Sequence, residues 1–262
     1  ATLARKYSCT MIKAISFDLW DTVIHDNSDE PKRAKQGLRS KNEERRYLVW
    51  EALNRHEAIS YETVALAYDV MEAAFNHVWH DQHITWTVRE RVQVVLNGLR
   101  CSLPDDEFAA VVRGHEEMEI TVAPDAIAGM GRALAELSQR YTLCVVSDAI
   151  VTPGRNLRKW LEMHALKEHF SGFAFSDEVG RSKPHPEAFA AAARQIGVEL
   201  TEMVHVGDRD HNDIKGPQSL GMKAVLFTAT RDRDKNITSA DAICERPEDL
   251  PAIIDRLARE ST

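Results

Sequence analysis

The sequence predicts an α/β protein in which a parallel sheet, covered by helices on both faces, is interrupted after its first strand by an all-helical unit. Three observations carry this expectation. Strand-like and helix-like segments alternate over residues 124–227, the pattern of parallel strands joined by crossover helices. Val145 and Val146, and Val225, Leu226 and Phe227, form unbroken apolar runs suited to strands buried on both sides. A lone strand pattern at residues 12–17 precedes the others by roughly a hundred residues of helical periodicity.

In chain order, the first strand ends at Asp18, followed by Leu19 and Trp20. A side chain at the carboxyl end of such a strand lies where open α/β sheets bind ligands, so Asp18 is a candidate nucleophile. Residues 26–42 hold Lys32, Arg33, Lys35, Arg39 and Lys41 among few apolar residues and read as a linker or mobile loop. Apolar stripes at helical spacing then recur in four places. They run through Tyr47, Leu48, Trp50 and Leu53, then Val64, Tyr68, Met71 and Phe75, then Val88, Val92, Val95 and Leu99. The fourth, with Phe108, Val111 and Val112, begins after Pro104.

Beyond Pro124, helices are expected at residues 127–140, 155–168, 186–196 and after Asp213. Strands are expected at residues 142–147, 173–176, 203–206 and 223–227. The domain organisation that follows is an N-terminal extension at 1–10, a Rossmann-like core at 11–25 and 121–262, and a helical cap at 26–120. A helical unit inserted directly after a catalytic strand can close over it and exclude water.

Composition narrows the partners. The net charge of −8 argues against non-specific nucleic-acid binding. No run approaches the ~18 apolar residues that cross a bilayer. Cys9, Cys101, Cys144 and Cys244 have no metal-ligand spacing, which fits reduced thiols and a cytoplasmic protein. Residues 1–10 precede Met11 and lack the apolar stretch of a secretory signal.

Four features fall beside predicted strand ends or helix starts: Asp18; Ser147; Lys183 in Gly180-Arg-Ser-Lys-Pro-His-Pro; and Gly207-Asp208-Arg-Asp-His-Asn-Asp213. Taken singly, each has a structural reading: a turn or cap aspartate, a strand-end hydroxyl, a solvated lysine, and an Asp213 that caps the next helix. Together, and in this order, they resemble the four motifs of the haloacid dehalogenase-like superfamily. Gly207-Asp208, Asn212-Asp213-Ile214, Gly216 and Leu220-Gly221-Met222 resemble its phosphatase branch, as do Lys183-Pro184 and the run from Pro186 through Phe189.

The resemblance implies a chemistry. Asp18 would attack phosphorus and form an aspartyl-phosphate, Ser147 would donate to a phosphoryl oxygen, and Lys183 would supply positive charge. Asp18, Asp208 and the backbone carbonyl of Trp20 would hold Mg²⁺, with Asp213 orienting Lys183 or the metal's waters from behind. The substrate class is a small phosphorylated or otherwise anionic metabolite, and the oligomeric state is monomer or homodimer.

Departures from the pattern keep other readings open. Trp20 stands where these phosphatases have a second aspartate that protonates the leaving oxygen, and an indole N–H has no useful acidity. Asp21 is a possible displaced acid, although a turn role fits it better. Asp148 stands where asparagine is usual. Dehalogenases also lack the second acid, but they lack the metal-binding carboxylate pattern of Asp208 too. Phosphonate-cleaving relatives use a cap lysine, and Lys32, Lys35 and Lys41 have no context marking a buried amine. A weakly catalytic or non-catalytic binding protein is a further reading. The basic run 32–46 could meet an anionic substrate at the cap. His77, His80 and His83 drift around their helix, too dispersed for a zinc site, and Trp79 and Trp86 read as cap core.

Overall fold

The computed structural model describes residues 11–261, so the expectation for residues 1–10 lies outside the described residues. Six parallel strands make one sheet: β1 (Ala14–Phe17), β2 (Thr142–Ser147), β3 (Phe170–Phe175), β4 (Met203–Gly207), β5 (Lys223–Phe227) and β6 (Ala242–Cys244), in the order β3-β2-β1-β4-β5-β6. β1 is central, with Phe17 in register with Val145 on one side and Val206 on the other. The strand order reverses at β1, and the crevice beyond the carboxyl ends of a sheet at such a reversal is where α/β folds bind ligands. Asp18, Ser147 and Asp208 all emerge there.

Alternation along the strands divides the core. Ile15, Phe17, Leu143 and Val145 pack to one face with Met130, Leu134, Trp160 and Ile254. Ala14, Cys144 and Val146 face the other way, against Phe189 and Ala192. The period of two in side-chain direction therefore places helices on both faces of the sheet.

Between β1 and β2 lie α1 (Glu30–Lys35), α2 (Lys41–Asn54), α3 (Tyr61–Gln82), α4 (Val88–Leu99), α5 (Asp105–Glu116) and α6 (Met118–Thr121). The stripes expected from sequence converge in a separate apolar core that includes Val49, Val64, Met71, Phe75, Val92 and Phe108. Ser40 and Thr87 start α2 and α4 through capping boxes with Glu43 and Glu90, which satisfy amide donors otherwise left open at each helix start. The remaining helices are α7 (Met130–Leu137), α8 (Gly154–Met163), α9 (Ser176–Val179), α10 (Pro186–Ile196), α11 (Gly216–Ser219) and α12 (Leu250–Glu260).

Several expectations are corrected. Residues 26–42 are not a loop: α1 and the start of α2 occupy them, and Arg33 and Lys41 are buried. Lys41 Nζ lies 2.9 Å from Asp29 and 2.6 Å from Glu119, so a charge expected in a linker is neutralised within the protein. The helix expected at 127–140 is only α7, entered from Gly129 in the left-handed region at φ 91°. The helix expected at 155–168 ends at Met163, before Ala165 at φ 52°. β3 starts at Phe170, and Ser176 opens α9 instead of closing the strand. After β4, a π-helical turn at Asp210–Lys215 precedes α11.

Candidate active site

Asp18 leaves β1 with its backbone N–H donating to Val206 O at 2.9 Å, which fixes it between the ends of β2 and β4. Its Oδ1 accepts from Ser147 Oγ at 2.8 Å and lies 2.8 Å from Lys183 Nζ. Both of these contacts are to Oδ1, not Oδ2. Ser147 is held in turn by the N–H of Leu19, 3.4 Å from its Oγ. Three residues far apart in sequence therefore meet as the motif reading expects.

Lys183 is buried, and its ammonium is shared between Asp18 and Asp213, the latter at 2.6 Å. Burial opposes its charge, but Asp18, Asp213 and Asp148 outweigh that penalty and raise its pKa. Asp213 Oδ1 also faces His205 Nε2 at 3.1 Å, while Oδ2 accepts the Arg209 N–H at 3.0 Å. Burial alone would raise the pKa of Asp213, yet Lys183 and His205 hold it well below the usual carboxylate range. His205 Nδ1 lies 2.8 Å from Ser16 Oγ, and burial lowers the ring's pKa. The neutral tautomer that satisfies both contacts carries its proton on Nε2 and accepts from Ser16. A Cβ at Gly207 would come within 2.4 Å of Asp213 Cγ, so only glycine lets the carboxylate fold back against β4.

Asp208 has no comparable support. Its Oδ2 is 3.2 Å from Arg231 Nη1, but its Oδ1 is buried without a partner among the described residues. Burial, with Asp213 and Asp18 adding to it, pushes its pKa up to about 8. Oxygens of Asp18, Asp208 and Asp213 lie within 4.8 Å of one another. Converging carboxylates with an orphaned oxygen fit a hard divalent cation. Both oxygens of Asp213 are taken by N–H donors, which leaves Asp18 and Asp208 as the carboxylates able to face one.

Trp20 Nε1 donates to the backbone carbonyl of Asp148 at 3.2 Å, so the indole ties the turn after β1 to the loop after β2. Asp21 is in the left-handed region at φ 55°, its N–H donates to Ile24 O, and its Oδ1 accepts the Asp26 N–H at 3.3 Å. Asp21 is absent from the cavity lining, and its contacts are those of a turn residue. Asp148 does more than end a strand. Its Oδ1 accepts the Lys183 N–H at 2.9 Å, and burial raises its pKa to about 7.

A cavity of about 230 Å³ lies over Asp18, with Trp20, Lys183 and Arg209 on the sheet side and Lys41, Arg45 and Trp79 on the helical side. Of the basic run, Lys41 and Arg45 therefore reach the cavity, whereas Lys32 pairs with Asp125 and Arg46 with Asp69 and Glu72. His77 pairs with Asp81, and the three cap histidines form no metal group among the described residues. Trp86 packs in the cap core, while Trp79 both packs there and lines the cavity. Sequence reading missed His205, Arg209 and Arg231. His205 had one signal, a single polar side chain in an otherwise apolar strand.

A family model described as haloacid dehalogenase-like hydrolase matches residues 12–221. A glyceraldehyde 3-phosphate phosphatase of Pyrococcus abyssi is 32% identical over 222 residues, covering 83% of this chain and 82% of that protein. One from Methanopyrus kandleri is 33% identical over 116 residues, covering 42% of this chain and 50% of that protein. The chain thus spans about half the length of some of the curated relatives it matches. Among solved structures, a HAD phosphatase from Thermococcus onnurineus superposes with a TM-score of 0.60 at 22% identity, over 93% of this chain and 98% of that one. At that identity the likeness shows the fold alone.

Proposed function

The chain belongs to the haloacid dehalogenase-like hydrolase family, and from that premise we propose that it is a phosphatase that moves the phosphoryl group of a small metabolite first to Asp18 and then to water. The observation that carries the reading is the environment of Asp18. One oxygen is held by Ser147 and Lys183, and the unpartnered Oδ1 of Asp208 lies in the same acidic cluster.

In this reading a carboxylate oxygen of Asp18 attacks phosphorus while the bond to the leaving oxygen breaks. Attack by water on phosphorus then releases inorganic phosphate and restores Asp18. Lys183 and Ser147 donate toward the phosphoryl oxygens, where charge is concentrated in the transition state. Asp213 keeps Lys183 charged and aimed at Asp18. Mg²⁺, held by Asp18, Asp208 and the Trp20 carbonyl, would supply the charge that lets an anionic phosphoryl group approach a carboxylate. Trp20 donates no proton, so substrates whose leaving oxygen needs little protonation, such as acyl or aryl phosphates, are expected to turn over fastest.

Residues 26–120 act in this account as the cap that encloses the substrate. The relatives named for glyceraldehyde 3-phosphate make short phosphorylated carbon chains the first class to try. Cys101, Cys144 and Cys244 are all free, which suits a reducing compartment such as the cytoplasm. No described helix is long and apolar enough to cross a membrane.

The test is phosphate release from a panel of acyl, aryl and alkyl phosphates with Mg²⁺ and with chelator, run beside halide release from 2-haloacids. Mg²⁺-dependent phosphate release supports the proposal. Halide release in chelator without phosphate release would replace it with the dehalogenase reading, which Trp20 alone favours.

A further inference from the structure

The cap end of the cavity presents donors that no group among the described residues uses. Trp79 is 9% exposed and lines the cavity, and its indole Nε1 has no partner among the described residues. Arg45 also lines the cavity. Its Nε is buried and unpartnered, and its Nη1 donates to the neutral Asn42 Oδ1 at 3.2 Å. Arg91 is 5% exposed with an unpartnered Nε, and it donates through Nη2 to the carbonyl of Ile150, another cavity residue. Phe75 links the group, stacking on Trp79 with centroids 6.2 Å apart and carrying the Arg91 guanidinium 4.5 Å from its ring centroid.

Several other cap cations have carboxylates: Lys41 has Asp29 and Glu119, Arg46 has Asp69 and Glu72, and Arg55 has Glu107. A guanidinium with a buried, unpartnered Nε and no carboxylate partner among the described residues, lining the same cavity as a buried indole N–H without an acceptor, costs folding free energy. That cost is offset when a ligand supplies the anion. The carboxylates around the same cavity do not fill the role. Glu119 takes Lys41 and Thr152, Glu30 accepts the Lys41 N–H, and Asp26 is driven toward its neutral form by burial, with Lys41 opposing and Asp21 and Glu119 adding. The volume of about 230 Å³ falls below the roughly 300–1,000 Å³ of common small-molecule sites, which leaves room for a few carbons between the two ends.

We infer that, among the alkyl phosphates that Trp20 makes slower than acyl or aryl ones, the preferred substrate is a phosphate ester of a short hydroxy acid, its carboxylate held at the cap end by Arg45 and Trp79, with Arg91 behind them as uncompensated positive charge. This rests on the phosphatase reading for the other end of the molecule. Arg45 and Trp79 are then specificity residues, and an aldehyde or alcohol in place of the carboxylate leaves their donors unpaired.

The experiment measures kcat/KM for 3-phosphoglycerate and phosphoglycolate, which carry the carboxylate, and for glycerol 3-phosphate and glyceraldehyde 3-phosphate, which do not. It uses wild type, Arg45→Gln, Arg45→Lys and Trp79→Phe, each checked for an intact melting transition. Wild type is expected to prefer the carboxylate esters by at least about tenfold. Arg45→Gln should shrink that preference by about tenfold, chiefly through KM, with Arg45→Lys restoring part of it and Trp79→Phe acting in the same direction. No preference in wild type, or equal losses on both classes in Arg45→Gln, overturns the inference. If no compound yields Asp18-dependent phosphate, the phosphatase reading fails, and calorimetric binding of the same compounds decides separately. Carboxylate-dependent binding that weakens in Arg45→Gln upholds the subsite; equal affinities, or no binding, reject it.

Discussion

Lys183 Nζ and Asp213 Oδ1 lie 2.6 Å apart in the interior, and the same ammonium touches Asp18 at 2.8 Å. The lysine is thus held by one carboxylate for use against another. Replacing Asp213 with asparagine removes the anchor and leaves a buried cation less compensated. Asp213→Asn is expected to lose about 10² or more in turnover and about 3–5 kcal/mol of stability, read by steady-state kinetics and denaturant unfolding. Gly207→Ala tests the same support from below, since the added Cβ falls 2.4 Å from Asp213 Cγ. It should lower turnover even where the melting transition survives.

Trp20 divides substrates by leaving group. Its N–H is engaged with the Asp148 carbonyl and an indole donates no proton, so rates should fall steeply as leaving-group pKa rises across aryl and alkyl phosphates. Trp20→Asp is expected to raise alkyl phosphate turnover relative to aryl, at a cost of about 1 kcal/mol for the lost hydrogen bond. A flat dependence in wild type would mean that another group delivers the proton.

The acidic cluster makes stability depend on pH and on metal. Burial raises Asp208 to about 8 and Asp148 to about 7 in the metal-free protein, above the ~3.9 of an unfolded aspartate. The native state therefore binds these protons more tightly than the unfolded chain. That contribution is fully present below about pH 4 and is lost as pH rises through about 7 and 8. In chelator the melting temperature should fall progressively between about pH 4 and pH 8 and level off above. Mg²⁺ should reverse that drop and release protons on binding near pH 7, seen by calorimetry in buffers of different ionisation enthalpy. Asp208→Asn should lose the Mg²⁺ effect.

Lys41 lines the cavity, which revives the Schiff-base chemistry of phosphonate-cleaving relatives, but its partners argue against it. Burial opposes its charge, and Glu119 with Asp29 overcomes that to raise its pKa, whereas an amine nucleophile needs a lowered one. Borohydride with a phosphorylated aldehyde should trap no adduct. Lys41→Met, which abandons two buried carboxylates, should cost about 3–5 kcal/mol.

Much of this was legible in the sequence because it follows periodicity and strand ends. β2, β5 and α10 fall at their expected limits, and Asp18, Ser147, Lys183 and Asp208 meet in space as their motif order implies. What pattern could not supply is pairing. Lys41 and Arg33 read as parts of a linker until Asp29, Glu119 and a backbone carbonyl are seen beside them. β6 has three residues, too few to show alternation. His205 acquires meaning only when the fold brings Asp213 to its ring, and the open donors of Arg45 and Trp79 are visible only once their surroundings are known.

The central claim is that Asp18 carries the phosphoryl group, and acid quenching during turnover of an aryl phosphate with Mg²⁺, followed by peptide mass analysis, tests it most directly. The account predicts a phosphoryl group on the peptide containing Asp18, absent from Asp18→Asn and absent in chelator. Turnover that persists in Asp18→Asn, or a phosphoryl group on another residue, would contradict it.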